Sequence, residues 1–199
     1  DIGYGGIDHV LASGQNVNIL VLDTEVYSNT GGQRSKATRN GATAKFASKG
    51  KEGQKKDLAK MALAYDDVYV ASICLGGNMQ QTIKALTEAE KHDGPSLVIA
   101  YAPCITHGIK SGMKDSISEE KLAVESGYWP LFRYVPEEDK LYLDYKKPDF
   151  DKYEEFLSNE NRYTMTKLVN ERRAKAMFEE NKKTAMKRFE YYKKMANTD

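Results

Sequence analysis

Three short apolar runs stand out along the chain, at residues 17–22, 68–73 and 97–102. Each is rich in valine, isoleucine or leucine and is bounded by turn residues. Runs that are apolar throughout, rather than alternating, predict strands buried on both faces, as in a parallel sheet. Between them the period changes to that of a helix. Ile7, Val10 and Leu11 share one face; Leu58, Met61, Ala62 and Tyr65 share the next; Met79, Ile83 and Leu86 share a third, which Gly94-Pro95 ends. Strand and helix in alternation predict an α/β fold, an open sheet flanked by helices. Past Cys104 the rhythm breaks. A helix over 119–128 is expected, then an edge pair of strands over 129–134 and 141–145, and a helix starting at 153–157. From Tyr163 onward the chain is charged and helical in pattern, with Met165, Leu168, Val169, Met177 and Phe178 as its apolar marks. The expected division is an α/β part over residues 1–135 and an edge hairpin with a charged helical extension over 136–199.

Charge changes this picture only locally. The 199 residues carry 30 Lys and Arg against 29 Asp and Glu, a net +1, which argues against a nucleic-acid binder. Residues 161–199 nevertheless hold 11 basic and 5 acidic side chains, leaving the rest of the chain at −5. A basic helix of this kind reads first as a solvated face packed on the domain, and second as a contact surface for an acidic partner or nucleic acid. No run approaches the roughly 20 apolar residues of a membrane span. Two cysteines, Cys74 and Cys104, are too few for a disulfide scaffold and fit a reduced, cytoplasmic setting. Cys74 reads as a small core residue. Cys104 follows the third apolar run, where ligand sites of parallel sheets collect, but from its position alone it reads first as a buried or idle thiol.

The first apolar run leads into Asp-Thr-Glu-Val-Tyr-Ser-Asn-Thr-Gly-Gly-Gln-Arg-Ser, residues 23–35. This loop offers hydroxyl and amide oxygens from Thr24, Ser28 and Asn29 and carboxylates from Asp23 and Glu25. Gly31 and Gly32 allow close backbone approach to an anion. Such a donor set suits a hard cation that shares its shell with phosphate; a long structural loop closed by local side-chain turns is the alternative. No P-loop is present, and Gly3-Tyr4-Gly5-Gly6 lacks the last glycine of a dinucleotide fingerprint, so those glycines are read as close-packing positions at a helix start.

Taken together, the 23–33 segment, Ser-Lys-Ala-Thr at 35–38, Ala-Lys-Phe-Ala at 44–47, Lys-Asp-Leu-Ala at 56–59, Pro-Ser-Leu-Val-Ile-Ala-Tyr-Ala at 95–102 and Ser-Gly-Tyr-Trp-Pro-Leu-Phe-Arg-Tyr at 126–134 resemble pyruvate:ferredoxin (flavodoxin) oxidoreductases, in their C-terminal thiamine-diphosphate-binding domain. The resemblance implies a thiamine-diphosphate-binding fold with an open, mostly parallel sheet. It also implies oxidative decarboxylation of pyruvate with coenzyme A to acetyl-CoA and CO2, electrons passing through iron–sulfur clusters to ferredoxin or flavodoxin. On it, Thr24 and the Val26 carbonyl hold the cofactor's Mg2+, Asn29 lies by the thiazolium and substrate as a catalytic group, and Cys104 gives one ligand to a [4Fe–4S] cluster. The Gly-Asp-Gly aspartate, the three partner cysteines and the glutamate that activates the aminopyrimidine are expected outside this stretch, so Glu25 is not given that last role. The chain, which opens on Asp1, is expected to be a piece of a cytoplasmic homodimeric enzyme and inactive alone. An oxidoreductase for another 2-oxo acid, or a non-catalytic interaction fragment, is the alternative. His107 matches no motif position and is expected at the surface or just behind the site. His9 and His92 are read as helix histidines, Trp129 as a packing residue and Tyr27 as a wall of the site.

Overall fold

The computed structural model describes residues 2–197. In chain order it runs α1 (Tyr4–Leu11), β1 (Asn18–Asp23), β2 (Val26–Tyr27), β3 (Gln33–Arg34), α2 (Leu58–Ala62), β4 (Tyr69–Ile73), α3 (Met79–Lys91), β5 (Ser96–Tyr101), α4 (Ser116–Glu125), β6 (Phe132–Val135), β7 (Lys140–Leu143), α5 (Tyr153–Asn159), α6 (Asn161–Val169) and α7 (Glu171–Ala196). The main sheet has the order β1-β5-β4-β6-β7. The first three strands are parallel, with Asn18 opposite Ser96 and Tyr69 opposite Ser96. β6 and β7 add antiparallel at the far edge, as the sequence pattern predicts. β2 and β3 form a separate small hairpin.

The three apolar runs become strands within one residue of the expected bounds, but their burial differs. β4 is buried at every position, and β5 everywhere except the partly exposed Ala100. β1 alternates instead, and Leu20 and Leu22 are 54% and 66% exposed. It is the outer strand and pairs only with β5 among the described residues, so the expectation of burial on both faces fails there.

Helix α3 corrects a second expectation. The stripe of Met79, Ile83 and Leu86 faces outward. Ala85 and Ala89 instead pack on Tyr69, Ala71, Ile73 and Val98, and Gln81 Nε2 donates to the Ser72 carbonyl at 3.2 Å. Small residues let the helix lie close to the sheet. The glycines of α1 also differ from expectation: a Cβ on Gly3, Gly5 or Gly6 would meet nothing within 4 Å, so close packing is not their role among the described residues. The second helix stops at Ala62, short of Tyr65, whose hydroxyl reaches Asp8.

The larger core lies on the other face of the sheet. There Val70, Leu97, Ile99, Trp129, Phe132 and Phe156 pack with the long helix α7. α7 begins at an Asn170 cap and buries Ala174, Met177, Ala185, Phe189 and Tyr192, the last stacked on Phe132 at 4.1 Å. Its Lys183, Lys187, Lys193 and Lys194 are exposed, so the basic stretch presents a solvated face on a packed helix. In α6 the apolar marks Met165, Leu168 and Val169 point outward, while Arg162, Tyr163 and Thr166 point in. That inversion follows from what α6 packs against, described next.

Candidate functional site

β1 ends at Asp23, and the chain turns sharply. Asp23 Oδ1 accepts from the Glu25 amide at 2.9 Å, an Asx-type turn that fixes the loop's first step. Glu25 takes φ +63°, the left-handed region that side chains other than glycine seldom occupy. The Thr24 hydroxyl donates to the Val26 carbonyl at 3.2 Å and lies 3.1 Å from Ser28 Oγ, so three oxygens converge at the strand's carboxyl end. The β2–β3 hairpin closes the loop through Gly31 and Gly32, both at positive φ, with Gly32 N donating to Tyr27 O at 2.9 Å. A Cβ on Gly32 would come within 2.8 Å of Thr106 Cγ2, so the strand-end segment after β5 lies directly against this turn. Lys45 straps the hairpin from the other side, its amide and carbonyl bonding Gly32 O and Arg34 N.

Beneath the loop lies a buried charge network that the sequence did not announce. Glu25 is 1% exposed. Its carboxylate meets Arg39 Nε at 2.7 Å, Lys55 Nζ at 3.4 Å, Arg162 Nη1 at 3.6 Å and the Tyr128 hydroxyl. Burial alone would raise this carboxyl, but Arg39, Lys55 and Arg162, with the Tyr128 hydrogen bond, hold it well below the usual carboxylate range. Lys55 also bonds Asp23 Oδ2 at 2.5 Å, and Arg162 Nε bonds Glu160 Oε2 at 3.1 Å. Among these six groups three carboxylates thus face three cations. Glu25 is thereby occupied by its ion pairs and the Tyr128 hydrogen bond.

The residues singled out in the sequence gather around this loop unevenly. Thr24 and Val26 form its turn; Asn29 sits at the hairpin tip and is exposed. Cys104 is 1% exposed and packs with Val26 and Ala44. Its Sγ lies 3.4 Å from His107 Nδ1. His107 is half-buried, and burial together with nearby Arg162 pushes it down to about 4, so its ring is neutral at pH 7. Tyr27 lines a cleft with Arg34, Ser35 and Lys51 beside the loop. Cys74 lies apart, its thiol hydrogen-bonded to the Glu120 carbonyl and pushed far up by burial and the Glu120 charge, so it is a protonated core group. Both cysteines are free. Trp129 packs on Tyr101 and donates to the Ile73 carbonyl. His9 is exposed near the end of α1, and His92 follows α3, held by Glu137 and the Asp67 carbonyl.

This strand–loop–helix unit has counterparts. Residues 3–100, which include β1, the loop and β5, match the family described as "Thiamine pyrophosphate enzyme, C-terminal TPP binding domain". Those residues belong to that family. Relatives extend the likeness over its whole length. The pyruvate:ferredoxin oxidoreductase of Moorella thermoacetica is 56% identical over 98% of this chain and 17% of its own length. The pyruvate-flavodoxin oxidoreductase of Klebsiella pneumoniae is 50% identical over 100% of this chain and 17% of its own length. The mitochondrial pyruvate dehydrogenase [NADP(+)] of Euglena gracilis is 47% identical over 98% of this chain and 11% of its own length. The chain therefore spans about a sixth of the length of the first two. In this TPP-binding domain no three His, Cys, Asp or Glu side chains cluster as a metal site among the described residues, and no described helix is long and apolar enough to cross a membrane.

Proposed function

We propose that this domain holds the Mg2+–diphosphate end of thiamine diphosphate in an enzyme that oxidatively decarboxylates pyruvate with coenzyme A and passes electrons through iron–sulfur clusters to ferredoxin or flavodoxin. The observation that carries the reading is the pairing of Thr24 Oγ1 and the Val26 carbonyl at 3.2 Å. Two ligands at neighbouring corners of an Mg2+ octahedron with bonds near 2.1 Å stand about 3.0 Å apart. A hydroxyl and a backbone carbonyl at this spacing are hard oxygen donors that fit the ion with little rearrangement. Remaining donors come from the diphosphate and from residues outside this chain. Thiamine diphosphate, when bound, supplies the carbon nucleophile and the electron sink.

The chain's own residues do the positioning. Asp23 and Glu25 fix the turn, Thr24 and Val26 present oxygens, and Asn29 at the hairpin tip offers an amide to the substrate oxygen. Cys104 gives one thiolate to a [4Fe–4S] cluster whose other ligands come from elsewhere in the enzyme, since such a cluster takes four. Its contact with Val26 supports this part, because a cluster there lies beside the cofactor loop. The thiol is covered by its neighbours, so ligation requires the His107 side to move. Residues 1–135 carry the cofactor face, and 136–199 act as an extension of the same unit. The intact enzyme is a cytoplasmic homodimer, and this stretch alone is inactive. The electron acceptor is set outside this domain: the Euglena relative is named for NADP(+) while keeping 47% identity here.

In the full-length enzyme, Thr24→Val should weaken thiamine diphosphate–Mg2+ binding, measured by calorimetry, with the circular dichroism spectrum retained. Unchanged affinity would overturn the anchoring role. Cys104→Ser should remove or shift one cluster's electron paramagnetic resonance signal; survival of every signal would remove Cys104 from the ligand set.

A further inference from the structure

Arg162 sits at the start of α6, 138 residues from the cofactor loop, and is 1% exposed. Its Nη1 donates to the Thr24 carbonyl at 3.0 Å and lies 3.6 Å from Glu25 Oε2. Its Nε is pinned by Glu160, whose other oxygen accepts from the Tyr101 hydroxyl at 3.1 Å. Its own carbonyl accepts from the amide and hydroxyl of Thr43, both at 2.8 Å. The guanidinium thus links the loop, through Glu160, to the end of β5, while the Arg162 backbone carbonyl holds the 43 segment. Nη2 is buried without a hydrogen-bond partner among the described residues. Evolution of such a residue for packing alone is a poor account: a buried cation with one donor unused is an expensive way to fill space.

What it grips is the informative part. The Thr24–Val26 turn carries Glu25 at φ +63°. Such a conformation persists only where the surroundings over-determine it. Asp23 and Thr38 hold Glu25 through its backbone, and Arg39, Lys55 and Tyr128 hold its side chain. Arg162 alone among these reaches both the Thr24 carbonyl and the Glu25 carboxylate. It therefore ties the Thr24 peptide unit to the Glu25 side chain, at the turn that sets where Thr24 Oγ1 and Val26 O lie.

We propose that Arg162 is a positioning residue for the cofactor loop, fixing the Thr24 hydroxyl and Val26 carbonyl at metal-ligand spacing from the C-terminal extension. The proposal rests on the reading of that loop as the Mg2+–diphosphate anchor. A lysine cannot replace it, because an ammonium lacks the planar fork that serves Glu160 and Thr24 together.

The test uses the full-length enzyme with Arg162→Lys and Arg162→Gln, titrated with Mg2+ at fixed thiamine diphosphate. Half-saturating Mg2+ should rise about tenfold for Arg162→Lys and further for Arg162→Gln, since tenfold is a modest loss for displaced donors. Thr166→Val is the packing control: it removes a 2.6 Å bond from the same helix to Gly41 O and a 3.4 Å bond to the Arg162 backbone carbonyl, leaves the guanidinium's own bonds untouched, and should leave half-saturation in place. Where the Arg162 variants do not fold, Glu160→Gln, which keeps the size of the side chain while weakening its hold on Arg162 Nε and on the Tyr101 hydroxyl, should give the same shift in smaller measure. Unmoved half-saturation in the folded variants, beside a Thr24→Val that does weaken binding, would overturn the role of Arg162 alone. An unaffected Thr24→Val would overturn the underlying reading of the loop.

Discussion

Replacing Glu25 by glutamine tests the buried network most directly. The side chain keeps its size, but its charge goes. Asp23 and Glu160 then face Arg39, Lys55 and Arg162, leaving one unbalanced cation in a site where Glu25 is 1% exposed. At an effective dielectric near 20, a pair of unit charges about 4 Å apart is worth about 4 kcal/mol. Glu25 has three such partners, but its own desolvation offsets much of the gain. Removing one member of a buried ion pair costs about 3–5 kcal/mol, because the partner stays buried and unpaired. Against a total stability of about 5–15 kcal/mol, that loss is severe. With a urea slope of about 2 kcal/mol/M, the unfolding midpoint should fall by about 1.5–2.5 M at pH 7. The double variant Glu25→Gln/Lys55→Met restores neutrality and should recover part of the loss, a coupling of about 1–2 kcal/mol. Acid provides the second arm. The folded carboxyl lies below its ordinary value, so its contribution is complete above about pH 4.5 and is lost as pH falls through the folded value. The gap between wild type and variant should therefore narrow toward pH 3. A midpoint shift under about 0.5 M at pH 7, or a gap that widens in acid, would refute the reasoning.

Further outcomes follow from other sites. Gly32→Ala places a Cβ 2.8 Å from Thr106 Cγ2 at φ +85° and should cost about 1–3 kcal/mol; Thr106→Ser, which deletes that methyl, should return part of it in thermal unfolding. Glu119 is pushed up to about 7, chiefly by burial, so wild-type stability should decline from about pH 4.5 to 7 on its account. Glu119→Gln should flatten that limb, and an unchanged slope would count against the shift. Native protein should react slowly with a thiol reagent at both cysteines; His107→Ala should speed Cys104 and leave Cys74 slow, read as the fast phase of thiol release. Val98→Ala, in the buried sheet, should cost at least about 1 kcal/mol, whereas Leu22→Asn on the exposed strand face should cost less than about 0.5 kcal/mol in urea unfolding.

The strands were legible because valine- and isoleucine-rich runs need burial whatever their neighbours are. Their order was not, and so β1 could not be told from a central strand: its composition matches β5, and only its place at the sheet's edge exposes Leu20 and Leu22. Helical periodicity located α3 and α6 but misassigned their inner faces. In α3 the sheet is met by alanines, and α6 turns Arg162 toward the Thr24–Glu25 loop and Thr166 toward Gly41, because close approach and charge pairing decided the packing. The loop itself was readable from its oxygen donors and paired glycines. Its support was not. Arg39, Tyr128 and Arg162 carry no local signature, and Glu25 meets the last two across more than a hundred residues.

That separation has a consequence for how the protein comes into being. Glu25, Arg39 and Lys55 emerge from the ribosome within one short stretch, but Arg162 follows 138 residues after Thr24. Contacts so distant in sequence form late, after the entropy of closing a long loop has been met. During synthesis the strands around β1 can assemble while the turn at Glu25 still samples ordinary backbone shapes. The left-handed kink gains its last support when α6 docks, so a chain cut short before residue 162 would carry every oxygen of the loop without the Arg162 grip on the Thr24 carbonyl.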